Sequence, residues 1–352
     1  MIIKSIKLTN FRNHKSYELK CKPTTTLILG ENGCGKTSVL EAIYILTQGK
    51  SFRATDPDII KRDTDYYLIE LEYNTGEKVV ASYDKKTKTF KVEDKKTKRL
   101  SGKNKYPVIL FLPSDLNIIA GAPSRHRDYF DRFFSVLSPE YQTALNKYNK
   151  ALLQRNKLLK DEYLSPSSIF PWNIMLSKNG VILNDLRQKF IEEINQTLTS
   201  TYRSIAENDD EVEIKYSTET PNLTENEYLN LLEKNYEKDR ILTHTSFGVH
   251  RDDFEFIFNG SLADGSASRG ETRSIILALK FIEAKIIAEK LNKKPIILLD
   301  DVFSELDNKR RKCLINNFKN HQVIITSVEK FTNSRSNHWE MLLLGFLPLR
   351  NI

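Results

Sequence analysis

The chain has 352 residues, 39% of them hydrophobic and 28% charged, which is length enough for a substantial core and about two domains. No apolar run approaches the roughly 20 residues of a membrane span, and MIIKSIKLTNFRNH lacks a signal-peptide core, so a cytoplasmic protein with no membrane partner is expected. The formal net charge is +8, and seven of those eight charges come from residues 84–106, where ten Lys and Arg stand against three Asp and Glu. Cys21, Cys34 and Cys313 lie far apart with no C-x-x-C pair, which indicates neither a zinc site nor a disulfide framework. An exposed thiol at Cys34 would make its neighbourhood sensitive to alkylation.

The first 23 residues read as β, with Ile3, Ile6 and Leu8 alternating in IKSIKLTNF and YELKCK following a polar turn at Arg12 to Lys15. A third strand, Thr24 to Leu29, leads into LILGENGCGKTS, residues 27–38, and a helix leads out with Val39, Ile43 and Leu46 on one face before stopping at Gly49. Strand, glycine loop and helix in that order form a P-loop. Gly30, Gly33 and Gly35 permit backbone conformations that a side chain blocks, so successive N–H groups can cradle a phosphate chain. The nucleotide-binding set is therefore Gly30, Glu31, Asn32, Gly33, Cys34, Gly35, Lys36, Thr37 and Ser38. Lys36 reaches the β- and γ-phosphates and so also takes part in catalysis, while Thr37 offers its hydroxyl to Mg²⁺.

Beyond the helix, YYLIELEY, the turn NTGEK and KVVASY predict a β meander. Two readings stand for the basic run at 84–106: a solvated hairpin or loop, and a surface that touches a phosphate backbone. From about 122 to 242 the period turns helical. Tyr141, Leu145, Tyr148 and Leu152 form one stripe and Ile182, Leu186, Phe190 and Ile194 another, each helix about five turns long, with loops expected at 165–171 and 207–211.

SASRGETRSIILALKFIEAKIIAEKL begins with small residues and becomes a helix whose Ile275, Leu279, Ile282 and Ile286 share a face. Ser268 and Gly270 fall at its N-terminus, which is either a second phosphate-binding helix end or a simple cap. In KKPIILLDDVFSELD, residues 293–307, Ile296 to Leu299 have the look of a buried parallel strand. Asp300 ends that strand where α/β sheets bind ligands and is assigned to Mg²⁺ together with Thr37; Asp301 is assigned to activating the attacking water. GVHRDD, residues 248–253, repeats a kinase triplet in His250-Arg251-Asp252 but lacks the kinase's downstream asparagine and metal motif. A metal-dependent nuclease site at His250, Asp252 and Asp253 stands as the alternative to structural ion pairing.

The order of P-loop, Ser-x-Gly helix start and acidic strand followed by S-E-L-D resembles an ABC-type ATPase head of the SMC class. More closely, NFRNH, GENGCGKTSVLEAIYIL, GKSFRATD, PSDLNIIAGAPSRHRDYFD, LLQRNKLL, GVHRDD, SRGETRSIILALK and LLDDVFSELD resemble the RecF family of bacterial recombination mediators, over roughly residues 2 to 330. The resemblance implies an α/β ABC-type P-loop ATPase head in two parts, 1–121 and 243–352, with a mainly helical lobe inserted at 122–242. It makes Ser268 to Glu271 the signature and Ser304 to Asp307 the D-loop, so that Ser268, Gly270 and Asp307 also contact ATP. It further implies an ATP-dependent homodimer, binding to double-stranded DNA near junctions with single strands, partnership with RecR and RecO in loading RecA, weak ATP hydrolysis, and roles in replication, recombinational repair and the SOS response. An ABC-type ATPase coupled to DNA cleavage is the alternative. The chain departs from the pattern in the arginine of Ser-Arg-Gly-Glu, the serine of Pro113-Ser114-Asp115, a Thr326 or Ser327 where transporters have a switch histidine, and a divergent segment after Ser327.

Overall fold

The computed structural model describes residues 1–100, 102–161, 165–219 and 221–328; the divergent C-terminal segment lies outside them, apart from Val328. The chain divides into two compact units, one of residues 1–115 joined by the chain from 284 onward, the other Leu116–Glu283.

In the first unit, β1 (Ile3–Phe11) and β2 (His14–Lys20) form a hairpin that extends through β4 (Tyr67–Tyr73), β5 (Lys78–Tyr83), β6 (Lys88–Val92) and β7 (Lys95–Thr97) into one antiparallel sheet, ordered β2-β1-β4-β5-β6-β7. One face of it is apolar by strict alternation: Tyr67, Ile69, Leu71 and Tyr73 of β4 are buried while the residues between them are half-exposed. A second sheet takes β3 (Thr25–Leu29), β13 (Val323–Ser327), β12 (Ile296–Asp300) and β8 (Val108–Phe111) in the order β3-β13-β12-β8, all parallel. Its strands β8, β12 and β13 are buried at every residue rather than alternately, as parallel strands covered on both faces are, whereas the edge strand β3 alternates. Helix α1 (Lys36–Gln48) lies against both sheets, and its buried set from Val39 to Leu46 runs right round the helix. A short helix, α9 (Asn308–Phe318), connects β12 to β13.

The second unit packs α2 (Pro123–Leu137), α3 (Pro139–Leu158), α4 (Pro166–Ala206), α5 (Glu225–Lys234) and α6 (Tyr236–Leu242) with a three-stranded sheet of β9 (Val212–Ser217), β10 (Asp253–Phe258) and β11 (Ser261–Leu262). A single turn, α7 (Ala263–Ser266), precedes α8 (Arg269–Leu291), which belongs to this unit as far as Glu283 and to the first unit from Ala284; its expected stripe Ile275, Leu279, Ile282 and Ile286 is buried, as are Ile276, Leu277 and Ala278. This unit runs past the expected boundary at 242 because β9 pairs with β10 from Val212↔Phe258 to Ser217↔Asp253. Its lobe therefore carries a sheet as well as helices.

The helical stripes are displaced from their expected positions. On α3 the buried residues are Tyr141, Ala144, Tyr148, Ala151 and Arg155, with Leu145 and Leu152 only half-buried; on α4 they include Leu183, Arg187, Phe190, Ile194 and Leu198. Steps of four drift by about 40° per turn around a helix of 3.6 residues per turn, whereas mixed steps of three and four stay on one side. The expected loop at 165–171 is the start of α4, with Pro166 in its first turn and Pro171 on an exposed side, where the missing N–H leaves one early carbonyl to water. The loop at 207–211 is present, entered through Glu207 in a left-handed conformation.

Two buried arginines tie the second unit together. Arg155 donates to Asp239 at 2.6 Å, Asn173 at 2.7 Å and Thr245 at 2.8 Å, and neither Arg155 nor Asp239 has exposed side-chain surface. Arg187 donates to Tyr141, Asp131 and the Val249 carbonyl, and lies over the ring of Phe254. Breaking a buried pair strands a charge at about 3–5 kcal/mol, whereas replacing both partners by apolar groups is far cheaper. Arg155→Met should therefore lower stability by about 3 kcal/mol in urea unfolding, and adding Asp239→Leu should recover much of the loss. Additive losses in the double variant would show that the two side chains do not act as a pair.

Candidate nucleotide site

Parallel pairing of β3, β13 and β12 brings their C-terminal ends level: Ser327 lies opposite Leu29 and Asp300 opposite Thr326. The glycine loop leaves β3 at this edge and enters α1, with Gly33 at φ +81° and Gly35 at φ +101°. At Gly35 a Cβ would also fall 2.3 Å from His14 Nε2, so both conformation and space require glycine there. Lys36 is buried and folds back along the loop, its Nζ donating to the carbonyls of Gly30 at 2.8 Å and Glu31 at 3.0 Å. The Thr37 hydroxyl lies 2.8 and 3.0 Å from the two oxygens of Asp300. These are hard oxygen donors from the first turn of α1 and the end of β12, a set that suits Mg²⁺.

Asp301 sits in a left-handed conformation, φ +53°, that Asp tolerates better than most residues. Its N–H donates to the Thr326 hydroxyl at 3.0 Å, and the same hydroxyl lies 2.8 Å from Asp300 Oδ1, so one threonine on β13 fixes both acids. The Asp301 Oδ1 is buried and makes no hydrogen bond among the described residues. Burial raises the Asp301 pKa, Lys36 works against that, and Asp300 adds to it, the net shift being upward. A carboxylate so placed is a stronger proton acceptor than an exposed one.

Sequence reasoning assigned no role to the groups that hold this loop from behind. Glu41, on α1, has no exposed surface and accepts from Arg12 at 2.7 and 2.9 Å, from Arg53 at 2.8 and 3.0 Å and from Ser51 at 2.6 Å. Burial acts to raise its pKa, but the hydrogen bonds from Arg12, Arg53 and Ser51 outweigh that and hold it below the usual carboxylate range. Arg53 also reaches Ser38 at 3.3 Å. On the other side of the loop, Asn13 donates to the Gly33 carbonyl at 3.0 Å and His14 to the Gly35 carbonyl at 3.1 Å. The signals were the arginines of NFRNH and GKSFRATD and a glutamate in an apolar helix face.

Elsewhere the expected residues have local partners. Ser268 caps α8 reciprocally with Glu271: its N–H donates to the Glu271 carboxylate at 2.6 Å and its hydroxyl accepts from the Glu271 N–H at 3.3 Å, at an exposed helix end that includes Gly270. Asp307 caps α9, accepting from the Arg310 N–H at 2.9 Å and pairing with the Arg310 guanidinium. Cys34 is half-buried within the loop. His250 spends both ring nitrogens, 2.8 Å from the Tyr148 hydroxyl and 3.0 Å from the Thr245 carbonyl, and burial pushes its pKa down to about 4. Asp252 takes the Tyr216 hydroxyl and lies 3.5 Å from Arg187, and Asp253 bonds His126 at 2.7 Å. These contacts suit structural pairing rather than metal ligation. The basic run forms the β6–β7 hairpin and the segment after it, with Lys91 opposite Lys96 and Lys95 and Lys96 exposed.

A family model described as an AAA ATPase domain matches residues 1–340. The DNA replication and repair protein RecF of Acholeplasma laidlawii is 37% identical over 336 residues, 93% of each chain. The chain belongs to the RecF family. The RecF of Lachnoclostridium phytofermentans is 34% identical over 349 residues, 95% of each chain. A solved structure of the recombination mediator protein RecF with ATP, in the RecFOR pathway, matches with a TM-score of 0.84 at 30% identity, covering 95% of this chain and 93% of that one. The α/β P-loop ATPase head expected from the motifs is thus the RecF-family fold.

Because the folded-state pKa of Glu41 lies below its unfolded value, its stabilisation is present above about pH 4.3 and is lost as the pH falls through the folded value. Glu41→Gln should melt well below wild type at neutral pH, and the gap should narrow steadily on acidification. A gap independent of pH would mean that the carboxylate charge contributes nothing.

Proposed function

We propose that the protein is an ATP-driven switch of recombinational repair and replication maintenance that dimerises on duplex DNA near single-strand gaps and, with RecO and RecR, aids RecA loading. The observation that carries the nucleotide reading is the meeting of the Thr37 hydroxyl with the Asp300 carboxylate beside Lys36 at one sheet edge. Lys36, freed from the Gly30 and Glu31 carbonyls, neutralises the β- and γ-phosphates, and loop N–H groups from Gly30 to Ser38 hold the phosphate chain. Thr37 and Asp300 would hold Mg²⁺, which would supply charge neutralisation at the phosphates. Asp301 orients the attacking water and takes its proton at Oδ1, giving slow hydrolysis that resets the switch. The RecF-with-ATP relative and the RecFOR pathway that its name carries support the ATP and partner assignments.

Ser268 and Gly270 of one copy complete the ATP site of the other in this reading, with Asp307 at the same junction. Their exposed helix end suits it, because the α8 N-terminus favours an anion, which would take the place of the Glu271 carboxylate that now accepts from the Ser268 N–H. Binding energy then closes the dimer and hydrolysis releases it. The charge surplus of the hairpin around β6 and β7 supplies phosphate-backbone contact, so duplex affinity should fall steeply with salt.

Light scattering without nucleotide, with ADP and with a slowly hydrolysed ATP analogue, each with and without a short duplex, tests the switch. Dimers should form only with the triphosphate and be reinforced by DNA; a monomer throughout would sink the proposal. Lys36→Met should abolish ATP-dependent pairing. Asp301→Asn should retain ATP and trap the closed dimer, and Ser268→Arg should bind ATP as a monomer, as equilibrium dialysis with labelled ATP would reveal. Normal pairing of Ser268→Arg would remove the signature from the interface.

A further inference from the structure

The two-residue turn between β1 and β2 is held in an unusual state. Phe11 pairs with His14, and Arg12 between them has φ +56°, a left-handed conformation that a long side chain adopts rarely. Three contacts secure it. The Arg12 guanidinium is forked onto Glu41, the Arg12 N–H donates to the Ile59 carbonyl at 2.8 Å, and Lys61 Nζ donates to the Asn13 carbonyl at 3.0 Å. A turn anchored in this way has a fixed direction for the side chains that follow.

Those side chains are Asn13 and His14, which donate to the Gly33 and Gly35 carbonyls. A carbonyl can only accept, so His14 carries a proton on Nε2, and burial lowers the pKa of the ring. In a planar trans peptide the C=O and N–H vectors are antiparallel. Fixing the Gly33 carbonyl therefore fixes the direction of the Cys34 N–H, and fixing the Gly35 carbonyl, which also accepts from the Ser38 and Val39 N–H groups at 3.0 and 3.3 Å, fixes that of the Lys36 N–H. The Cys34 N–H and Lys36 Nζ already converge on one oxygen, the Glu31 carbonyl, at 3.4 and 3.0 Å, a place that a phosphate oxygen would take over. The closeness of Asn13 Oδ1 and His14 Nε2 to the position of a Gly35 Cβ, 2.6 and 2.3 Å, shows how tightly the two side chains are fitted to the loop.

We infer that Asn13 and His14 are positioning residues for the phosphates of the nucleotide, acting by locking the Gly33–Cys34 and Gly35–Lys36 peptides so that alternate N–H groups converge on one anion. The inference rests on the proposed nucleotide reading. Preorganised donors spare the ordering cost that a free loop meets on binding, and a hydrogen bond to a charged group is roughly twice as strong as a neutral one.

Calorimetric titration of ATP and ADP into wild type, Asn13→Ala, His14→Phe, His14→Gln and the Asn13→Ala/His14→Phe double variant, with the melting temperature of each nucleotide-free protein, tests it. His14→Phe keeps a ring against Tyr17, which lies 5.1 Å from the His14 ring, but removes the donor; His14→Gln restores a donor. Each donor removed should weaken both nucleotides about tenfold with the nucleotide-free melting temperature little changed, and His14→Gln should bind close to wild type. Affinity unchanged in the double variant would overturn the proposal. So would equal weakening by Phe and Gln accompanied by a fall in nucleotide-free melting temperature, which marks a merely structural contact. Wild-type protein that binds no ATP would overturn the nucleotide reading itself, a result separable from failure of the variants alone.

Discussion

Glu41 lies one turn into α1 with no exposed surface, and an unpaired carboxylate in that position would be prohibitively costly. It is held ionised by two arginines from segments on either side of the helix in sequence, Arg12 in the first hairpin and Arg53 in the loop after α1. The consequence is geometric. Each arginine must bring its own backbone to the same point, so the hairpin turn and the 51–60 loop are both fixed relative to the helix that starts at Lys36. From the turn come Asn13 and His14; from the loop comes the contact of Arg53 with Ser38. A helix apolar almost all round could slide or rotate between its two sheets, and the charged cluster supplies the registration that apolar contact lacks.

The same loop reaches further. Asp56 accepts from Lys88 at 2.7 Å and from the Tyr67 hydroxyl at 2.9 Å, and Lys88 belongs to β6, the first strand of the basic hairpin. Only two residues, Ala54 and Thr55, lie between Arg53 and Asp56. The first strand of the basic hairpin and the helix that follows the phosphate loop are thus fastened to opposite ends of one short segment. Lys88 has a structural partner, and its charge is not available to a ligand in the way that those of the exposed Lys95 and Lys96 are.

The parts of the site that follow from local chain geometry were legible in the sequence. Glycine spacing, the lysine and threonine that follow, and the apolar run ending in Asp300 each depend on neighbours within a dozen residues, and Thr37 and Asp300 meet as their positions at strand and helix ends require. The supporting groups were not legible in this way. Glu41 looks like a polar interruption of a helix and Arg12 and Arg53 like surface residues, while Thr326 stands out only by its place after the acidic strand; their roles come from one another and, for Thr326, from Asp300 on the neighbouring strand. Likewise Arg155 and Arg187 occupy the buried side of their helices, where an apolar stripe is sought, because their charges are neutralised by Asp239 and by Asp131 with Asp252. Hydropathy registers a side chain's own preference and is blind to its counter-ion.

The order of strands in the parallel sheet has a bearing on how the molecule is made. β13 lies between β3 and β12, with Thr25 opposite Val323, so the strand leading into the phosphate loop has no sheet partner until the chain has been extended almost to Ser327. The second unit is continuous in sequence from Leu116 to Glu283 and its pairings are nearer to hand. During synthesis it can condense while β3 still waits, and loop closure of that span slows the completion of the sheet. The nucleotide site is therefore the late product of folding, and a chain cut short before β13 would carry an intact P-loop sequence with no sheet to present it.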